Sequence, residues 1–163
     1  MKRQLLLFVI LFLAKTGKPQ NLVPNPSFEN LTKCPPLDLF SWELNEYIPP
    51  WVSPTDGSPD IYSTCVTNSH YSVPKSHINL DWRDTSQKCF NYQHPRTGNN
   101  FAMYFIANSI YQYREYLQVP FKSDFFKNQL YYVSYYINIH DCSGMFTSDF
   151  GAYISKEPPR RYD

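Results

Sequence analysis

The stretch from Tyr111 to His140, YQYREYLQVPFKSDFFKNQLYYVSYYINIH, constrains the fold of this chain more than any other. It holds two strand-like runs joined by a polar connector. In the second run Tyr131, Val133, Tyr135, Ile137 and Ile139 fall on one face, and Tyr132, Ser134, Tyr136, Asn138 and His140 on the other. Alternation of β-branched and aromatic residues with period two predicts a half-buried strand, not a helix. One face suits a core. The other carries rings with polar tips, which suits a surface that meets a ligand.

Composition extends this reading to the whole chain. Its 163 residues are enough for one domain with a single core. Aromatic residues make up 18%, with 14 Tyr, and charged residues also only 18%. With 14 Pro besides, the balance is the reverse of what a helix bundle needs, so the expected class is all-β with long loops. The net charge of +1, with no basic block before the last few residues, leaves nucleic acid without an electrostatic footing.

The N-terminus reads as an export signal. Lys2 and Arg3 form a positive head before the apolar run Leu5 to Ala14. That run is shorter than the ~20 residues a membrane helix needs and fits a secretory leader. We therefore divide the chain into a signal peptide, residues 1–20, with no clear cleavage site, and a module, residues 21–163. No second apolar segment follows, so the expected destination is the periplasm, the cell surface or the medium. In an oxidising compartment Cys34, Cys65, Cys89 and Cys142 are expected to form disulfides. Four cysteines allow three pairings, among which the sequence does not choose. The sequential one, Cys34 with Cys65 and Cys89 with Cys142, is carried forward. With no CxxC motif and no Cys/His cluster in the sequence, structural zinc is not expected.

Taken in order, Leu22 and Val23 can open a strand that Pro24 and Pro26 restrict, and Phe28 offers an anchor. Loop-like, Pro-rich sequence with Trp42 and Trp51 leads to a turn at Asp56-Gly57 and a short strand through Ile61 and Tyr62. Thr67 to Gln87 lacks a sustained period and reads as a long loop holding Trp82. A turn at Arg96 to Asn99 precedes a strand over Phe101 to Ile106. A helical turn is expected within Asp124 to Gln129, and a last strand over Asp149 to Ser155.

Catalytic signatures are missing. There is no GxSxG elbow, and His70, His77, His94 and His140 lie in separate segments without HExxH spacing. Glu115 with Asp141 or Asp149 could supply the two acids of a glycosidase. However, Glu115 is in phase with Leu117 and Val119, which places it on a core face. There it needs a partner such as an arginine or a tyrosine hydroxyl. A structural role is the better expectation, and the chain is read as a non-enzyme.

Six segments in register carry a family resemblance: NLVPNPSFE (Asn21 to Glu29), PTDGSPDIYSTC (Pro54 to Cys65), PRTG (Pro95 to Gly98), YREYLQVP (Tyr113 to Pro120), LYYVSYYINI (Leu130 to Ile139) and FGAYIS (Phe150 to Ser155). Together they resemble the N-terminal module of secreted Bacteroidetes proteins that carry an OmpA-like or secretion-sorting domain further on. The opening NxSFE followed by a Trp is also similar to carbohydrate-binding modules with the galactose-binding-like jelly roll. The resemblance implies a β-sandwich with a solvent-facing concave sheet. Such modules continue well past the GAYIS strand, so a chain stopping at Asp163 is expected to be either a fragment or truncated product of a longer protein, or a sandwich incomplete at its C-terminal end.

The resemblance also implies a structural calcium ion, for which Glu29 would be the matching oxygen ligand. Sugar binding would use flat rings against C–H faces and polar groups on hydroxyls. The candidates are Tyr132, Tyr136 and Asn138 on the outward face, with Arg114 and Tyr116 on the adjacent run and Trp82 in the long loop. The expected function is a non-catalytic surface module that binds polysaccharide. The alternative is a structural or adhesion module that docks an envelope protein and has no sugar ligand.

Overall fold

The computed structural model describes residues 20–36, 43–67, 70–81, 84–106, 114–144 and 150–159. Residues 1–19 of the expected signal peptide, Trp42, Trp82, Tyr111 to Tyr113 and Asp149 lie outside these residues. Among the described residues five elements form: a helical turn α1 (Leu44–Tyr47) and strands β1 (Asp60–Ser63), β2 (Lys75–Asp81), β3 (Asp84–Tyr92) and β4 (Asn100–Met103). The class is all-β, and the described strands make two small antiparallel sheets, β1 with β4 and β2 with β3. No helix among the described residues is long and apolar enough to cross a membrane.

The β1–β4 sheet follows from its side chains. Its register sets Ile61 opposite Ala102 and Tyr62 opposite Phe101. The two aromatic rings stack at 5.0 Å, and Tyr71 meets Tyr62 edge-on at 5.3 Å. Cross-strand aromatic pairs of this kind are what hold short ladders. The opposite face sends Ile61 into the core with Leu44, Tyr47 and Ile48, where Phe28, Leu31, Trp51, Ala102 and Leu117 pack around them. Leu44 and Tyr47 are three apart, so one helical turn puts both on the core. That turn lies inside the stretch expected to be loop.

Two expectations are corrected. Thr67 to Gln87 is not one long loop. Lys75 pairs with Tyr92, His77 with Phe90 and Asp81 with Asp84, with an irregularity between Asn79 and Asp81. The hairpin escapes pattern reading because KSHINLD and DTSQK are largely polar, and its ladder rests on backbone hydrogen bonds that any side chain permits.

The second correction concerns Leu130 to Ile139, which forms no ladder. The segment is held at single points. Tyr135 Oη donates to the Phe150 carbonyl at 3.2 Å, and Tyr131 Oη accepts the Phe126 N–H at 2.7 Å. Alternation sets which conformation a segment prefers, but a strand also needs a neighbour for its N–H and C=O groups. Phe150 to Ser155 likewise forms no ladder, and Lys127 and Asn128 make a plain turn rather than a helical one. Gln118 makes a lone bridge to Val52, with both bonds at 2.9 Å. None of the described residues after Glu115 is buried.

The four cysteines lie as two pairs at disulfide distance, Cys34 with Cys65 and Cys89 with Cys142, with Cα separations of 6.0 and 6.1 Å. The first ties the N-terminal loop to the end of β1. The second ties the His140–Cys142 turn to β3.

Candidate functional site

The NPSFE motif folds into a clasp. Asn25 is buried with a positive φ of 42°, a region Asn tolerates. Its Oδ1 accepts the Asn30 N–H at 3.0 Å, and its carbonyl accepts the Trp51 indole N–H at 2.9 Å. Phe28, also at positive φ, packs on the Trp51 ring at 5.1 Å, and its carbonyl accepts from Asn100 Nδ2. Glu29 Oε1 then accepts the N–H groups of Asn99 and Asn100 at 2.9 and 3.0 Å. Gly98 has φ +73°, and a Cβ there would collide with the Glu29 carboxylate, so the PRTG turn needs its glycine. The acid singled out for calcium therefore joins the N-terminal loop to the start of β4.

Glu115 is 3% exposed. Its Oε1 accepts the Ser58 N–H at 3.2 Å and its Oε2 the Phe105 N–H at 2.7 Å. These two backbone amides face the carboxylate, a strong charge-assisted arrangement. Gly57 is needed beside it, because a Cβ would lie 2.8 Å from the Arg114 carbonyl. The Asp141 carboxylate accepts the Tyr92 N–H at 3.0 Å. Each acid is thus engaged with backbone in its own part of the fold.

The aromatic candidates are presented to solvent. Tyr132 is 91% and Tyr136 74% exposed. Arg96 lies over the Tyr136 ring, 4.7 Å from its centroid, and Asn138 Nδ2 donates to Gln93 Oε1. These contacts set the Tyr136–Asn138 segment against the residues that follow β3. Alternation along β3 buries Cys89 and Asn91 and exposes Phe90 and Tyr92, with His94 edge-on to Tyr92 at 5.5 Å. The resulting surface combines flat rings, a guanidinium and a side-chain amide pair. Gln93, Arg96, Phe90 and Tyr92 had not been singled out in the sequence. Only the period-two exposure of CFNY could have pointed to them.

Arg114 and Tyr116 are exposed, but their segment is bonded to Phe105 and Val52 through Glu115 and Gln118. Among the described residues no hydrogen bond joins it to the Tyr136 surface. Trp82 lies outside the described residues. The structure thus brings Tyr136 and Asn138 together with Arg96 and Gln93.

A second cluster sits behind this surface. Cys89, His140 and Cys142 place one ligand-type atom each within 4.8 Å of one another. Burial holds the His140 imidazole below its usual range, against the opposing effect of Asp141. Sequence spacing could not show this group, because Cys89 and Cys142 are 53 residues apart.

No protein-family model, curated protein or solved structure matches this chain.

Proposed function

We propose that this chain is an exported, non-catalytic binding module of the galactose-binding-like jelly-roll type that holds polysaccharide through Tyr132, Tyr136 and Asn138. The observation that carries the reading is the exposure of both rings, together with Arg96 lying over Tyr136 and the Asn138–Gln93 amide pair next along the segment. A ring left in water beside fixed donors and acceptors matches a sugar, which offers a C–H face to the ring and hydroxyls to its neighbours. The engagement of Glu115 and Asp141 with backbone N–H groups favours a binding role over hydrolysis. The secretory-type leader and the paired cysteines support export.

Replacing Tyr132 and Tyr136 together by Ala should abolish retention on a polysaccharide panel while the circular dichroism spectrum is preserved. Retention equal to wild type removes this face from the reading. A second reading, docking of an envelope protein, is favoured by a separate observation. Leu130, Val133, Ile137 and Ile139 are exposed along the same segment, Leu130 at 98%. An apolar strip of that length suits a protein surface. A glycan array separates the two, since docking predicts no sugar signal.

A further inference from the structure

Cys89, His140 and Cys142 have a chemistry that the binding reading does not use. We propose that they form a redox-gated site for a thiophilic divalent cation of the Zn²⁺ class, closed while the disulfide stands and opened by a dithiol reductant. Three features support it. First, the three ligand-type atoms already lie within 4.8 Å of one another, so little movement is needed to surround one ion. Two sulfurs and one imidazole form a donor set that zinc accepts, with three protein ligands and a fourth position left for water. Cys142 is exposed, which provides the entry path and the open position.

Second, the arrangement does not depend on the disulfide alone. Asp141, between the two ligands of the turn, accepts the Tyr92 N–H at 3.0 Å and donates its own N–H to Asn91 Oδ1 at 3.4 Å. The Cys142 N–H donates to His140 Nδ1 at 3.2 Å. The two Asp141 bonds fasten the turn to the end of β3 when the sulfurs are separated. Third, His140 Nε2 is buried with no hydrogen-bond partner. A buried group of that kind is costly to leave unsatisfied. Because Nδ1 accepts the Cys142 N–H, the neutral ring carries its proton on Nε2, and ligation through Nε2 moves that proton to Nδ1 and gives up the Cys142 bond.

The step balances. The dithiol gives two electrons and two protons to the Cys89–Cys142 bond and becomes a disulfide itself. The cation then displaces the two thiol protons and is held by two thiolates and the imidazole.

The test uses the full chain, oxidised and reduced, with Co²⁺ as the spectroscopic probe and Zn²⁺ as competitor. The reduced chain should take up one Co²⁺ with a sulfur-to-metal charge-transfer band that Zn²⁺ abolishes, and the oxidised chain none. His140→Ala and Cys142→Ser should each weaken binding by about ten-fold or more. The Cys34→Ser/Cys65→Ser double variant should keep it within about two-fold. Equal uptake by the oxidised chain, no uptake by the reduced chain, or indifference to His140→Ala would overturn the proposal. A reduced chain that unfolds and holds metal through any thiols falls under that last outcome, and circular dichroism on the same samples identifies it.

Discussion

Glu29 joins backbone amides 70 and 71 residues further along the chain, and at this scale the fold depends on single groups. Its carboxylate receives two N–H donors at the mouth of the PRTG turn, where nothing larger than glycine fits beside it. Losing a charged acceptor that leaves two donors unmet should cost about 1.5–3 kcal/mol. Glu29→Ala is therefore expected to lower stability by that amount in urea denaturation, and Glu29→Gln by less, because its amide oxygen still accepts. Equal losses in the two variants, with a chelator also lowering the wild-type Tm, would instead make Glu29 a calcium ligand. The buried position of Glu115 was legible from its phase with Leu117 and Val119. The groups that receive its charge were not, because Ser58 and Phe105 reach it through backbone that side-chain chemistry does not encode.

At the level of elements, the segment Leu130 to Ile139 is tied to the end of β4 through an aromatic relay. Tyr104 stacks on Phe150 at 6.1 Å, and Tyr135 meets Phe150 edge-on at 5.0 Å. Burial, with Tyr135 adding to it, pushes the Tyr104 phenol up to about 12. The unfolded phenol ionises near 10, so the native state retains its proton longer. The stability it contributes is intact below pH ~10 and is lost as pH rises through about 12. Tyr104→Phe should lose less stability than wild type across that window, followed by circular dichroism. Parallel losses would remove Tyr104 from the account. The strands themselves were unevenly legible. β1 and β4 announce themselves through Ile61, Tyr62 and Phe101. The β2–β3 hairpin does not, because polar residues give no alternating apolar signal.

For the whole molecule, the hydrophobic core cluster lies between the N-terminal loops and the β1–β4 sheet, and none of the described residues after Glu115 is buried. The run from Leu130 to Ile139 carries no charged residue and forms no ladder. An apolar segment with open backbone groups is a template for pairing. Association should therefore rise with concentration in sedimentation velocity, and Val133→Lys should reduce it, as a lysine does on natural sheet edges. Sedimentation unchanged by that substitution would show that this segment is not the sticking surface. The sequence by itself determined the all-β class and the short strands around Ile61–Tyr62 and Phe101. Those features depend on neighbours one to four residues apart, which local sterics and periodicity encode. The face of Tyr131, Val133, Tyr135, Ile137 and Ile139, expected to be buried, is instead exposed. Only the tertiary structure decided that Cys89 pairs with Cys142 beside His140, that Arg96 covers Tyr136, and that Leu130 to Ile139 forms no ladder. Each depends on groups tens of residues apart, brought together by packing and backbone hydrogen bonds that no local pattern specifies.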